Sequence, residues 1–154
     1  MVIIQYCCTR RYELSLHHKD NQIRNDHETF KNQNHVNSLY GSSNFFYGTT
    51  FDQMGLMLRI DHENWIKAGV EYVDGKQNVS AVVTHRTSDW SVVQLPDAPR
   101  SIWIKAVRRL DAVEIFFSRD DKEYIMMRTC WLQDNCPVMV GLMGACPDGK
   151  GFTA

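Results

Sequence analysis

Carboxylates two positions apart have the strongest claim to chemistry in this chain. On a strand such a pair points to one face, where it can serve as acid and nucleophile at a glycosidic bond. Two matches occur, Asp61-x-Glu63 and Asp121-x-Glu123. The first falls in a connection and the second at a turn, and neither extends into a run of three carboxylates. No Ser-His-Asp order stands out, and His62 and His85 sit at or near loops. His17, His18, His27 and His35 crowd one polar stretch, but their spacing matches no HExxH or Cys/His ligand pattern. The cysteines (Cys7, Cys8, Cys130, Cys136 and Cys146) are odd in number and form no CxxC, which points to free thiols in a reducing, cytoplasmic compartment. No metal, cofactor or catalytic residue is implied, so the expectation is a protein that is not an enzyme.

Side chains suited to binding are easier to find. An aromatic face meets the apolar face of a sugar ring well, and the chain has Trp65, Trp90, Trp103 and Trp131. Trp103 stands between Ile102 and Ile104 and is expected in the core. Trp65 and Trp90 border turns and are the better stacking platforms. Arg59, Lys67, Glu71 and Asn78 supply charged and amide groups close by, beside the small residues Gly69 and Ser80. Together, Arg59, Lys67, Glu71, Asn78, Trp65 and Trp90 form the candidate ligand-binding set. The competing expectation for the same side chains is a plain solvated sheet face.

What must position them is a β-sheet. From Phe51 onward apolar residues alternate with polar or small ones, and turn residues recur every eight to twelve positions, the pattern of an antiparallel β-sandwich. Strands are predicted at 53–60, 65–73, 76–85, 90–95, 101–109, 112–118, 122–130 and 138–145. A two-residue turn at Asp74-Gly75 pairs Val73 with Lys76 and hence Val70 with Val79, Ala68 with Ala81 and Ile66 with Val83. A five-residue connection over 61–65 sets Ile60 opposite Ile66, Leu58 opposite Ala68 and Leu56 opposite Val70. One apolar face results, made of Leu56, Leu58, Ile60, Ile66, Ala68, Val70, Val79, Ala81 and Val83. The candidate binding set falls on the other face.

The 154 residues suit one domain with a real core. A net charge of −1 with no basic cluster gives no reason to expect nucleic acid or an anionic membrane as partner. The opening run Met1-Val2-Ile3-Ile4-Gln5-Tyr6 has no basic n-region and is broken at Gln5, so it reads as neither signal peptide nor membrane span. Residues 17–44 are rich in Asn, His, Lys and Asp at no steady period. They are expected to be loop or disorder, with a short helix near 26–31. The sequon Asn78-Val79-Ser80 falls inside a predicted strand.

The run Phe51-Asp52-Gln53-Met54-Gly55-Leu56-Met57-Leu58-Arg59-Ile60-Asp61, followed by Glu63-Asn64-Trp65-Ile66-Lys67-Ala68-Gly69-Val70-Glu71, carries more than periodicity. It resembles the regulation-of-enolase protein family, a domain of unknown function with a concanavalin A-like lectin/glucanase fold. The runs Val82-Val83-Thr84, Ser88-Asp89-Trp90-Ser91, Val140-Gly141-Leu142-Met143 and Cys146-Pro147-Asp148-Gly149 look like the same family. The resemblance covers 48–152. It implies a jelly-roll sandwich and a non-catalytic binding or regulatory protein, in the manner of cytosolic regulators of enolase. A carbohydrate-binding, lectin-like module or a glycoside-active enzyme is the alternative. A glycolytic enzyme such as enolase, or a carbohydrate, is the implied partner. Residues 1–47 do not look like the family's leading strands, and the chain stops soon after Gly151-Phe152. The expectation is therefore an atypical, largely disordered segment at 1–47 and a sandwich domain at 48–154 that is incomplete at both ends.

Overall fold

The computed structural model describes residues 49–148 in full, and the backbone alone of two further strands at 29–30 and 37–44. Among the described residues ten strands follow one another: β1 (Thr29–Phe30), β2 (Asn37–Asn44), β3 (Gln53–Arg59), β4 (Asn64–Val73), β5 (Lys76–His85), β6 (Thr87–Gln94), β7 (Ser101–Arg109), β8 (Ala112–Ser118), β9 (Ile125–Trp131) and β10 (Val138–Ala145). They make a six-stranded sheet in the order β1-β10-β3-β4-β5-β6 and a four-stranded sheet in the order β2-β7-β8-β9. Every pairing is antiparallel. The protein is an all-β sandwich.

Local chemistry sets the hairpins. Asp74 and Gly75 both take positive φ (50° and 76°), the requirement of a type I′ turn whose twist matches the flanking strands. That turn fixes the β4–β5 register as read from the sequence, from Val73 opposite Lys76 to Ile66 opposite Val83. Between β3 and β4 the parity is as expected, but the register is shifted by two residues. Leu58 faces Ile66 and Leu56 faces Ala68, so the expected partnership of Ile60 with Ile66 is not made. The loop is shorter than five residues, because Asp61 Oδ1 accepts from the backbone N–H groups of Glu63 and Asn64, both at 2.8 Å, and Ile60 N–H reaches Asn64 O at 2.9 Å. A two-residue slip leaves every side chain on its own face.

The core lies between the sheets. Leu56, Leu58, Ile66, Ala68, Val70, Val79, Ala81 and Val83 from one sheet meet Ile102, Ile104, Ala106, Val113, Ile115 and Phe117 from the other, with Ile60 partly buried against them. The nine side chains expected on one apolar face therefore do share it.

Other expectations need correction. Residues 37–44 are not loop: polar though it is, β2 pairs along its whole length with β7, because backbone hydrogen bonding to a neighbour outweighs a weak propensity. Thr29 and Phe30 are extended and pair with Met139 and Val138, which excludes them from the helix expected near 26–31. The rest of that helix, and the disorder expected over the remainder of 1–47, lie outside the described residues. Trp103 is not core: Ile102 and Ile104 point inward, so alternation turns Trp103 to the outer face of the four-stranded sheet, where it is only half-buried. β6 starts at Thr87 rather than 90, after a reversal at Arg86 with φ 64°. β9 starts at Ile125 rather than 122, because Asp120 Oδ1 caps the loop by accepting from Lys122 and Glu123 N–H groups at 2.9 and 3.0 Å.

Candidate functional site

Register alone lays out the outer face of the six-stranded sheet as rows running across the strands. One row is Ala145, Gln53, Glu71, Asn78 and Gln94; the next is Met143, Gly55, Gly69, Ser80 and Val92. A third is Gly141, Met57, Lys67, Val82 and Trp90, and a fourth is Met139, Arg59, Trp65, Thr84 and Ser88. All six residues of the candidate set therefore share this face.

They run along the strands from Glu71 and Asn78 to Arg59 and Trp65. At one end Glu71 is only 4% exposed, and its Oε2 accepts the indole N–H of Trp90 at 3.0 Å. Ser80 lies between these two residues on the same face, and its small side chain lets the indole lean across. Trp90 stays 47% exposed, so a ring pinned at its nitrogen presents its body to solvent. Lys67 Nζ donates to Gln53 Oε1, and Gln53 Nε2 donates in turn to Phe51 O at 3.1 Å. Partial burial pushes the Lys67 ammonium below its ordinary pKa, against the attraction of the Glu71 carboxylate. Asn78 is buried and directs its amide at Lys76 O (2.9 Å) and Glu71 O (3.4 Å), so it braces the hairpin rather than facing outward. That burial also removes the sequon from consideration as a surface acceptor.

The floor of this end is backbone. Gly55 and Gly69 face each other across β3 and β4. A Cβ on Gly69 would stand 2.0 Å from Met54 O, and one on Gly55 would stand 2.1 Å from Ala68 O. Neither position admits a side chain without separating the strands.

Arg59 and Trp65 are paired at the other end of the same strands. Arg59 Nε donates to Asp61 O at 2.9 Å, and a shallow depression lined by Met57, Arg59, Met139 and Gly141 adjoins it. Six residues of strand, roughly 20 Å at about 3.3 Å each, separate Trp65 from Glu71, with Lys67 between them. The candidate set runs along one face in successive rows, with Arg59 and Trp65 in the row next to Lys67 and Trp90.

On this face Gln53, Glu71, Asn78, Ser80 and Thr84 of the middle strands are buried, while Arg59, Trp65 and Lys67 are partly exposed. Gln53 was not in the sequence-derived set, although its place in the Glu71 row follows from the same register. The carboxylate pairs prove to be loop devices. Asp61 is held below the usual carboxylate range, first by the Glu63 N–H and then by the Asn64 side chain, and Glu63 lies 3.9 Å from Arg86. Asp121 accepts from the Tyr124 hydroxyl. His85 packs against Trp131 with ring centroids 4.9 Å apart and the rings tilted by 55°, and one ring nitrogen lies 3.1 Å from Trp131 O, joining the two sheets. Among the described residues no group of three His, Cys, Asp or Glu side chains could hold a metal ion.

The chain belongs to the family described as protein of unknown function (DUF1349), which it matches over residues 17–154. The match begins well before the boundary at 48 expected from the sequence. Over 106 residues the chain is 32% identical to "Regulation of enolase protein 1" of Saccharomyces cerevisiae, covering 69% of this chain and 54% of that protein. It is 24% identical over 109 residues to an uncharacterized protein of Emericella nidulans, covering 66% of this chain and 54% of that one. The chain thus spans about half the length of the curated relatives it matches. Among solved structures, a functionally unknown protein from Saccharomyces cerevisiae superposes with a TM-score of 0.69 at 29% identity, over 75% of this chain and 62% of that one. A GH43 protein from Bacillus licheniformis also reaches 0.69, at 12% identity, over 82% of this chain and 27% of that one. At that identity the likeness is one of fold alone.

Proposed function

We propose that this chain is a non-catalytic binding and regulatory module that takes a hydroxyl-rich, carbohydrate-like ligand on the outer face of its six-stranded sheet. The observation that carries the reading is the Trp90 indole, pinned through its N–H to the buried Glu71 carboxylate while its ring remains half-exposed. A rigid aromatic platform beside polar groups is what a sugar ring needs: stacking for its apolar face, hydrogen bonds for its hydroxyls. Lys67 supplies the donor nearest the platform, and the Gly55–Gly69 floor leaves it room. Arg59 and Trp65, in the row next to Lys67 and Trp90, extend the contact along the strands. Glu71 and Asn78 act beneath the surface as braces.

Catalysis on this face would require a second carboxylate, and the rows around Glu71 contain none. Glu71 itself is committed to an indole N–H.

The name of the yeast relative favours a second reading, in which the ligand belongs to a protein partner such as a glycolytic enzyme. Cys130 and Cys136 form no disulfide, which fits a reducing, cytoplasmic setting. No described helix is long and apolar enough to cross a membrane.

Calorimetric titration of mixed oligosaccharides into the wild-type chain and into Trp90→Ala tests the proposal. Binding that Trp90→Ala reduces at least about tenfold, a loss of about 1.4 kcal/mol, is the expected outcome. Equal binding by both proteins would move the ligand off this face. Absence of any sugar binding, with capture of purified enolase instead, would favour the second reading.

A further inference from the structure

Beyond what the outer face binds, the edge of the same sheet has a use of its own. β6 ends the six-stranded sheet among the described residues. Leu95 N–H donates to Gln77 O at 2.8 Å, which fixes the alternation of the ladder to β5. Residues 89, 91 and 93 face β5, so the backbone N–H and C=O groups of Ser88, Trp90, Val92 and Gln94 point away from the sheet. Nothing in the strand protects that row. It contains no Pro and no Lys, and its register with β5 runs without a bulge. Its single charge, Asp89, is taken by Arg128 at 2.7 Å from the other sheet. Trp90, Val92 and Val93 are exposed along it. The β9 edge of the other sheet is treated differently, since β9 is irregular where Ile115 and Phe116 meet it.

We propose that β6 pairs with β6 of a second copy of this chain, antiparallel across a twofold axis, joining two sheets into one. The register follows from the sequence. Matching outer faces requires paired residue numbers of equal parity. Of those registers, only the one with Ser91 on the axis pairs all four outward residues, Ser88 with Gln94 and Trp90 with Val92. A shift of one step either way leaves Gln94 or Ser88 without a partner. In this register each indole meets a valine across the seam, on the outer face, and the neutralised Asp89 meets Val93 on the inner face. The twofold places two Trp90–Glu71 centres side by side on one continuous face.

Proline tests the edge selectively. Val92→Pro removes an N–H that points away from β5 and leaves the internal ladder whole. Sedimentation of the full chain over about a hundredfold range of concentration is expected to show a dimer for wild type and a monomer for Val92→Pro. The two proteins should share one circular dichroism spectrum. A wild-type chain that stays monomeric overturns the proposal, and so does a Val92→Pro chain that is folded and dimeric. Should Val92→Pro fail to fold, amide exchange on wild type decides. The amides of Ser88, Trp90, Val92 and Gln94 should gain protection as concentration rises while those of 89, 91 and 93 do not change. Exchange independent of concentration at all four would overturn it.

Discussion

Strands β3, β4 and β5 have two faces made by the same backbone, and the faces are built on different principles. The inner face is held by contact area alone: Leu56, Ile66, Val70 and Val79 are fully buried against the other sheet, and their order could be permuted if volume were kept. The outer face buries polar groups nearly as deeply, and each of those needs a particular partner. Glu71 has the Trp90 indole, Lys67 has Gln53, and Thr84 has Ser88 at 2.9 Å. Buried apolar surface gives stability without direction. Buried polar pairs give direction at little net gain, because each hydrogen bond replaces one to water.

That contrast can be broken from either side. Leu56→Ala on the inner face should show the largest effect, a loss of about 2–5 kcal/mol. It should appear in urea as a lower midpoint with an unchanged slope. A loss well under 1 kcal/mol (the scale of an exposed substitution) would mean that the two sheets are not closely packed there. A subtler difference separates Lys67 from an ordinary surface lysine. Its folded-state pKa lies below the ordinary value of 10.5, so the unfolded chain holds the proton more tightly. Stability must then rise as pH climbs through the folded pKa towards 10.5, and the burial penalty is present in full at neutral pH. Chemical denaturation of wild type and Lys67→Met across the alkaline range should show the difference between them shifting in favour of wild type. A difference that stays flat with pH would mean that Lys67 is hydrated in the native state.

Much of the inner face was legible because two constraints agree on it. Asp74-Gly75 admits one turn type, and alternation carries that register down both strands. Length of the β3–β4 loop was not legible in the same way. The apolar pattern fixes only whether the slip is odd or even, and Asp61 decides the rest by capping its own loop. β2 was missed because Asn, Ser and Gly carry no strand signal, and only pairing with β7 makes Asn37–Asn44 extended. Trp103 was misplaced because composition outweighed alternation in a run whose two isoleucines already occupied the inward positions. On the outer face, membership could be read from parity. Burial could not, since it depends on which long side chains fold over their neighbours: nothing in the sequence says that Trp90 leans towards Glu71 rather than away.

The central claim is that Trp90, pinned by Glu71, is the platform on which a ligand rests. Its indole N–H gives an NMR resonance of its own, distinct from those of Trp65, Trp103 and Trp131, and assignable by its loss in Trp90→Phe. During an oligosaccharide titration the Trp90 signal should move progressively, Trp65 less, and Trp103 and Trp131 not at all. A Glu71→Gln chain should start from a shifted Trp90 position and bind more weakly. Saturable binding that moves Trp103 or Trp131 while Trp90 stays fixed would contradict the account.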